Sequence, residues 1–340
     1  MSSAFDLIVG IGLGVAMCVA FRLGWRRLRL RRAWHSFKDQ LLWSLRYAPR
    51  HYLVLDVGSG HNPHIRADVL CEKYLEDDIE RGGTIVTERP LVIGDANALP
   101  FRDKAFDLVI SRHMIEHLPD PRPFFENAGR VAQRGYFTAP SAVAEKLMSY
   151  PFHRWLIELR DGVVHFQAKQ MPVYDGAIQA FFANILGDLS RYDDFMLDHL
   201  HALEVRYRWE DAPRCSVDGV LQGDAFVQAH VTPGDDVVKR TLSGVEDLRN
   251  RFKTVIRRLT HAIVSKHHHV DLASLLACPR CLGEVQLYSE RVHCPACALD
   301  YPVHRGIPIM LIERAVPSAG SRQEQRRDVG AGVTERTVRC

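Results

Sequence analysis

The chain has 340 residues, a net charge of +3 and 46% hydrophobic residues, enough to bury a full core and to carry more than one domain. Of its cysteines, Cys278, Cys281, Cys294 and Cys297 cluster, while Cys18, Cys71, Cys215 and Cys340 are scattered. Scattered singles give no sign of a disulfide framework, so a reducing compartment is expected.

At the amino terminus, Ala4 to Trp25 is an apolar run with charges only near its ends. As a helix it would reach roughly 33 Å, enough for a hydrocarbon core of about 30 Å. Arg26, Arg27, Arg29, Arg31 and Arg32 follow it. Positive charge on that side places everything after Trp25 in the cytoplasm. No positive charge precedes the run and no small-residue signal ends it, so residues 1–25 are expected to be an uncleaved transmembrane anchor. The expected location is the bacterial inner (cytoplasmic) membrane, crossed once. Residues 26–49, basic and carrying Trp34 and Trp43, predict a juxtamembrane helix. It reads either as a connector or as a helix lying on the anionic leaflet.

From Tyr52 to Pro140, short apolar runs alternate with polar, helix-like stretches. The runs "YLVLDV", "ADVLCE", "PLVIGDA", "FDLVISR" and "GYFTAP" fit strands buried on both faces of a parallel sheet. "PDPRPFFENAGRVAQ" predicts an amphipathic helix between the last two. The fold class is therefore α/β. The sheet domain is assigned to residues 50–240, with 141–205 as an inserted substrate cap. In that region "AIQAFFANILGDL" reads as helix, and "ALEVRYRWE" and "DAFVQAHVT" alternate like strands. Residues 241–272 form a basic amphipathic helix with Leu248, Phe252, Val255, Leu259 and Ile263 on one face. A connector packed on the domain and a second membrane-surface helix both fit that pattern. The tail, 313–340, has no periodicity and reads as disordered.

The chemistry centres on "LVLDVGSGHNPHIRAD". Gly58 and Gly60 let the backbone turn sharply and approach a ligand. Pro63 stands where a dinucleotide fingerprint needs its third glycine, so a pyrophosphate site is disfavoured. Asp56 repels phosphate and attracts an ammonium group. Glu72 ends the second run, where a carboxylate can accept both hydrogen bonds of a ribose diol. Asp95 ends the third, placed to accept from an adenine amino group. Strand carboxyl ends are where open α/β sheets bind ligands.

These blocks resemble a class I S-adenosylmethionine-dependent methyltransferase of the type 11 group, with a Rossmann-like sheet. "DVGSG", "GDANALPF", "FDLVISRHMIEHLPDP" and "GYFTAPS" carry the resemblance over residues 50–140. It implies S-adenosylmethionine as cofactor, with Asp56, Gly58, Ser59 and Gly60 on its methionine part and Glu72 on the ribose. Asp95 and Ala96 would flank the adenine, and His113 would line the pocket. The chain departs from the family after the glycine turn, where only about a dozen residues precede Glu72. The first helix is expected to be short or missing, with Asp68 as the fallback ribose ligand. The sulfonium methyl is already activated, so the protein mainly aligns a nucleophile. His113, Glu116 and His117 follow the fourth strand and are the candidates for a general base, though capping of the next loop is open for Glu116 and His117. "YPFHRW", at 150–155, is a candidate acceptor wall.

"CPRC" and "CPAC" give C-x2-C-x12-C-x2-C. Two such knuckles place Cys278, Cys281, Cys294 and Cys297 around one Zn2+, a structural site because no position stays open. Residues 273–312 resemble the short bacterial zinc-ribbon proteins related to methyltransferase-activating subunits. That resemblance implies a module that packs on, stabilises or presents substrate to the catalytic domain. Loss of its metal is expected to leave cofactor affinity intact, the site lying on a separate sheet.

The leading expectation is a membrane-anchored methyltransferase acting on a small-molecule, lipid-linked, glycan or isoprenoid acceptor at the cytoplasmic face. An RNA or protein methyltransferase and an inactive cofactor-binding scaffold remain alternatives. Nucleic acid is disfavoured, since the ribbon segment is acidic and poor in aromatics.

Overall fold

The computed structural model describes residues 30–75, 85–148, 150, 152–169, 177, 189–221, 244–267 and 269–318. Helix α1 (Leu30–Tyr47) leads into β1 (Val54–Val57), β2 (Val69–Glu72), β3 (Leu91–Ile93) and β4 (Leu108–Arg112). Helix α2 (Arg122–Val131) then precedes β5 (Arg134–Pro140). Strands β1 to β3 are buried at every position, as continuously apolar runs must be when both faces are covered.

After β5 come α3 (Ala142–Met148), β6 (Trp155–Arg160), β7 (Val163–Ala168), α4 (Leu189–Asp198) and α5 (Leu200–Leu203). Strand β8 (Glu204–Glu210) returns to the main sheet, and β9 (Cys215–Asp218) follows it. The six-stranded order is β3-β2-β1-β4-β5-β8, parallel throughout except that β8 runs against β5. Between β5 and β8 the inserted hairpin β6–β7 pairs with β9 in a separate three-stranded sheet. The predicted "AIQAFFANILGDL" helix and "DAFVQAHVT" strand fall almost wholly outside the described residues.

No helix stands between β1 and β2, where residues 58–68 form only turns. Two elements from outside this crossover pack there instead. Trp43 of α1 stacks on Tyr136 at 4.6 Å, and Gln40 accepts the Ile65 N–H at 3.1 Å. Helix α1 thus belongs to the sheet domain and is no mere connector. Helix α6 (Gly244–Val264) reaches the same region through Arg257, which binds Glu88 at 2.9 Å, and through His261. Its apolar stripe faces the other way, with Val255, Leu259 and Ile263 all more than half exposed. The helix docks by its polar face because a buried carboxylate, Asp68, waits there.

Asp68 is a hub. It accepts from Val54 N at 2.9 Å, Arg66 at 2.8 Å and Ser265 at 2.6 Å, and its other contact is His261 at 2.9 Å. Arg66, fully buried, also binds the carbonyls of Ala48 and Pro49 just past α1. Asp68 precedes β2, at the strand end opposite the ligand side, so it is not the fallback ribose ligand.

The carboxyl-terminal module begins with α7 (Leu272–Leu275). It continues through β10 (Gln286–Leu287), β11 (Arg291–Cys294), β12 (Leu299–His304), β13 (Ile307–Pro308) and β14 (Val316–Pro317). The module is not a separate body. Leu276, Cys278, Val292, Tyr301 and Met310 share one core with Leu99, Phe101 and Phe106. Ala277 N donates to Pro100 O at 3.0 Å, Arg102 N to Leu275 O at 2.9 Å, and Met310 N to Ile93 O at 2.6 Å. An Ile93–Ile309 bridge extends the sheet beyond β3. Among the described residues no helix is long and apolar enough to cross a membrane, and residues 1–25 lie outside them.

Asp68→Ala should destabilise the fold by about 3–5 kcal/mol in urea unfolding, because it leaves Arg66 buried and uncompensated. Burial opposes ionisation of Asp68, but His261, Arg66 and Ser265 outweigh it and hold the group below its ordinary range. A depressed folded pKa stabilises above the unfolded value of about 3.9 and stops doing so as pH falls through the folded value. Wild type and variant should therefore converge in acid.

Candidate active site and metal centre

Strands β1, β2 and β3 bring Asp56, Glu72 and Asp95 to one edge of the sheet. Gly58 and Gly60 have φ of +73° and +55°, conformations costly for any side chain. A Cβ on Gly58 would also stand 2.5 Å from Cγ of Met114, so the loop after β4 lies directly over the glycine turn.

Asp56, in β1, is enclosed rather than open to solvent. It is buried, and His64 N donates to its Oδ2 at 2.7 Å while Oδ1 accepts no hydrogen bond. Burial raises its pKa, partly offset by Arg112, the His64 N–H and Arg89. Glu72 reaches into the turn, where Ser59 Oγ donates to it at 3.2 Å and Gly60 N donates to the same oxygen. The two glycines, Ser59 and Glu72 thus form one hydrogen-bonded unit. Asp95 caps the short turn Ala96–Ala98 by accepting from Asn97 N at 2.8 Å, and it pairs with Lys73 at 2.7 Å. Lys73, which follows Glu72, carries no signal in the sequence that would assign it this role.

His113 sits at φ +51° between two carboxylates, Glu116 at 3.6 Å and Glu204 at 3.1 Å. Desolvation pulls its pKa down, but both carboxylates outweigh that and raise it to about 9. That pairing favours the imidazolium form, which opposes a general-base role for His113 at neutral pH. Burial favours the neutral form of Glu116, yet His113, His117 and His153 keep its pKa low and the group ionised. The "YPFHRW" segment meets this loop: His117 stacks on Phe152 at 5.6 Å and meets His153 edge-on at 4.9 Å. Glu145 and Lys169, absent from the sequence reading, stand behind His153 as a buried pair at 2.9 Å.

The four clustered cysteines converge. Cys278 and Cys297 sulfurs are 4.0 Å apart, and those of Cys281 and Cys294 are 3.7 Å apart. A tetrahedron with metal–sulfur bonds of about 2.3 Å has edges of about 3.8 Å. A disulfide needs about 2.05 Å, so these are not bonded pairs. Gly283 N donates to Cys281 Sγ and Cys297 N to Cys294 Sγ, both at 3.4 Å, as tight metal-binding knuckles require. The donor set fits a thiolate-loving dication.

The family model described as a methyltransferase domain matches residues 55–138, which span the glycine turn, all three acids and the His113 loop. An ajmaline N-methyltransferase of Rauvolfia serpentina is 51% identical over 43 residues, covering 13% of this chain and 15% of that protein. The chain thus spans well under a quarter of that relative's length. A solved S-adenosylmethionine-dependent methyltransferase of Mesorhizobium loti is 15% identical and covers 37% of this chain and 62% of its own, with a TM-score of 0.24. A UPF0434 protein of Mannheimia succiniciproducens is 42% identical over 50 residues, 14% of this chain and 82% of that protein. Over that stretch the chain belongs to the UPF0434 family. One polypeptide thus joins a segment that matches the methyltransferase-domain model to a UPF0434 segment.

The raised pKa of His113 can be read directly. Its stabilising pairs are fully formed below the unfolded value of about 6.5 and are lost as pH rises through about 9. Proton NMR of the histidine ring should titrate near 9 in the wild type and clearly lower in Glu204→Gln. A wild-type midpoint at the ordinary value would refute the pairing.

Proposed function

We propose that the protein is a membrane-anchored methyltransferase that moves the methyl group of S-adenosylmethionine to a small-molecule, lipid-linked, glycan or isoprenoid acceptor on the cytoplasmic face. The observation that carries this reading is the glycine turn inside the matched methyltransferase domain, with three acids at successive strand ends. When bound, the cofactor supplies a methyl already activated by its sulfonium. The chain has to place it. The ammonium group belongs beside Asp56, whose Oδ1 is buried without a hydrogen bond and is short of a donor. Glu72 takes the ribose by exchanging its bonds to Ser59 and Gly60, and Asp95 with Ala96 holds the adenine side. Much of the work is alignment, worth up to roughly 7–11 kcal/mol.

Membrane attachment is supported by the apolar run at residues 1–25 and by what α1 and α6 present to solvent. Leu42 and Leu45 on α1 and Val255, Leu259 and Ile263 on α6 are all more than half exposed. Lys38, Arg46 and Arg258 flank them. A basic helix with an outward apolar stripe partitions into the headgroup boundary of anionic bilayers. Zinc in the cysteine cluster would be structural, since four thiolates leave no site for substrate.

Labelled S-adenosylmethionine incubated with membrane lipid extract should transfer its label to the organic-soluble fraction. Label appearing only in RNA or protein would replace the acceptor class, and absence of cofactor binding in calorimetry would leave a scaffold. Cys281→Ser tests the module. Because residues 275–277 hold the backbone of residues 100–102, just beyond Asp95, loss of the metal should weaken cofactor binding several-fold. This reverses the expectation that the two sites are independent, and unchanged affinity in metal-free protein would restore it.

A further inference from the structure

The cap brings a second group of ligand-type side chains to the loop after β4. Glu116 and His117 lie on that loop, and His153 stands just before β6. Their ligand atoms lie within 4.8 Å of one another. Three hydrogen bonds clamp the loop to the cap: Arg154 N to Glu116 O at 2.9 Å, Arg154 Nε to His117 O at 2.9 Å, and Trp155 Nε1 to Leu118 O at 2.6 Å.

Two features distinguish this cluster from packed core. Glu116 is 1% exposed, and neither of its carboxylate oxygens accepts a hydrogen bond. The nearest histidine nitrogens, on His113 at 3.6 Å and His117 at 3.9 Å, are beyond hydrogen-bonding range. Its charge is balanced only at these longer distances, and a buried carboxylate with no donor or cation in direct contact is costly. The second feature is behind His153. Its Nδ1 is bonded to Glu145, whose other oxygen receives Lys169 Nζ at 2.9 Å. A carboxylate on one ring nitrogen fixes the tautomer and turns the other nitrogen into a lone-pair donor, the usual support of a metal-bound histidine.

We propose that Glu116, His117 and His153 form a divalent-cation site, separate from the cysteine cluster and suited to zinc. Two imidazoles and one carboxylate are a donor set of catalytic zinc, leaving at least one position for an oxygen ligand. The three side chains draw together by small rotamer shifts when the cation binds. Met114, two residues before Glu116, packs on Gly58, so the site adjoins the cofactor turn. A hydroxyl held by the cation would lose its proton more readily, which favours an oxygen acceptor. That last step rests on the methyl-transfer reading, but cation binding does not.

Full-length protein reloaded with Zn2+ should hold about two ions per chain, one on the four cysteines and one here. Glu116→Gln and, separately, His153→Ala should each reduce this to about one. Glu145→Gln, which loosens the support of His153 and also leaves Lys169 buried without its carboxylate, should weaken the second ion by roughly 10–100-fold in protein that still folds. Cobalt substitution separates the sites in unmodified protein, since the thiolate site gives sulfur-to-metal charge-transfer bands and this one does not. One ion in the wild type, a purely thiolate cobalt spectrum, or unchanged stoichiometry in both variants would overturn the proposal. Methyl transfer by a one-ion protein would sink this site and leave the methyltransferase reading standing. Two ions without transfer would do the reverse.

Discussion

The buried Asp68–Arg66 pair is the constraint on which the rest of the domain rests. Its two charges are fully buried and 2.8 Å apart. Such a pair survives only if its remaining valences are filled, and here they are filled by three separate parts of the chain. Arg66 gathers the carbonyls that follow α1, while Asp68 gathers the start of β1 and the end of α6. A sheet domain that lacks its first crossover helix is thereby closed by helices from before and after it in sequence. The same pair fixes the loop of residues 58–68, whose other end is the glycine turn. Packing on one side of the sheet and ligand geometry on the other are linked through eleven residues of irregular backbone.

The active-site side is governed by alternating charge. His113, its imidazolium form favoured, lies between Glu116 and Glu204, and Glu145 is bracketed by Lys169 and His153. In each case a carboxylate from the cap, inserted between β5 and β8 or starting β8, meets a group on or beside the ligand loop. The cap therefore does more than cover the sheet. Its Glu204 joins Glu116 in raising the pKa of His113 on the loop that lies over the cofactor turn.

Much of this was legible in the sequence, and the failures have physical reasons. Strands buried on both faces write themselves as short apolar runs, so β1 to β5 could be read directly. Pro63 and the short span to Glu72 announced the missing helix. Periodicity, however, says that α6 has an apolar face, not which way it turns. Asp68 decided that, and a single acid gives no warning of being a hub. Lys169 and Glu145 were invisible because a buried pair is defined only by tertiary contact. Asp56 was placed at the correct strand end, but its burial depends on how residues 61–66 fold back over it.

Strand β3 sits at the outer margin of the sheet, and the Ile93–Ile309 bridge with the Met310–Ile93 bond covers it. A parallel sheet left bare at such a margin offers unpaired backbone donors and acceptors to any passing chain. The cysteine module therefore also acts as a guard against self-association. A molecule in which it had come undone would expose that margin and be sticky before it was unfolded.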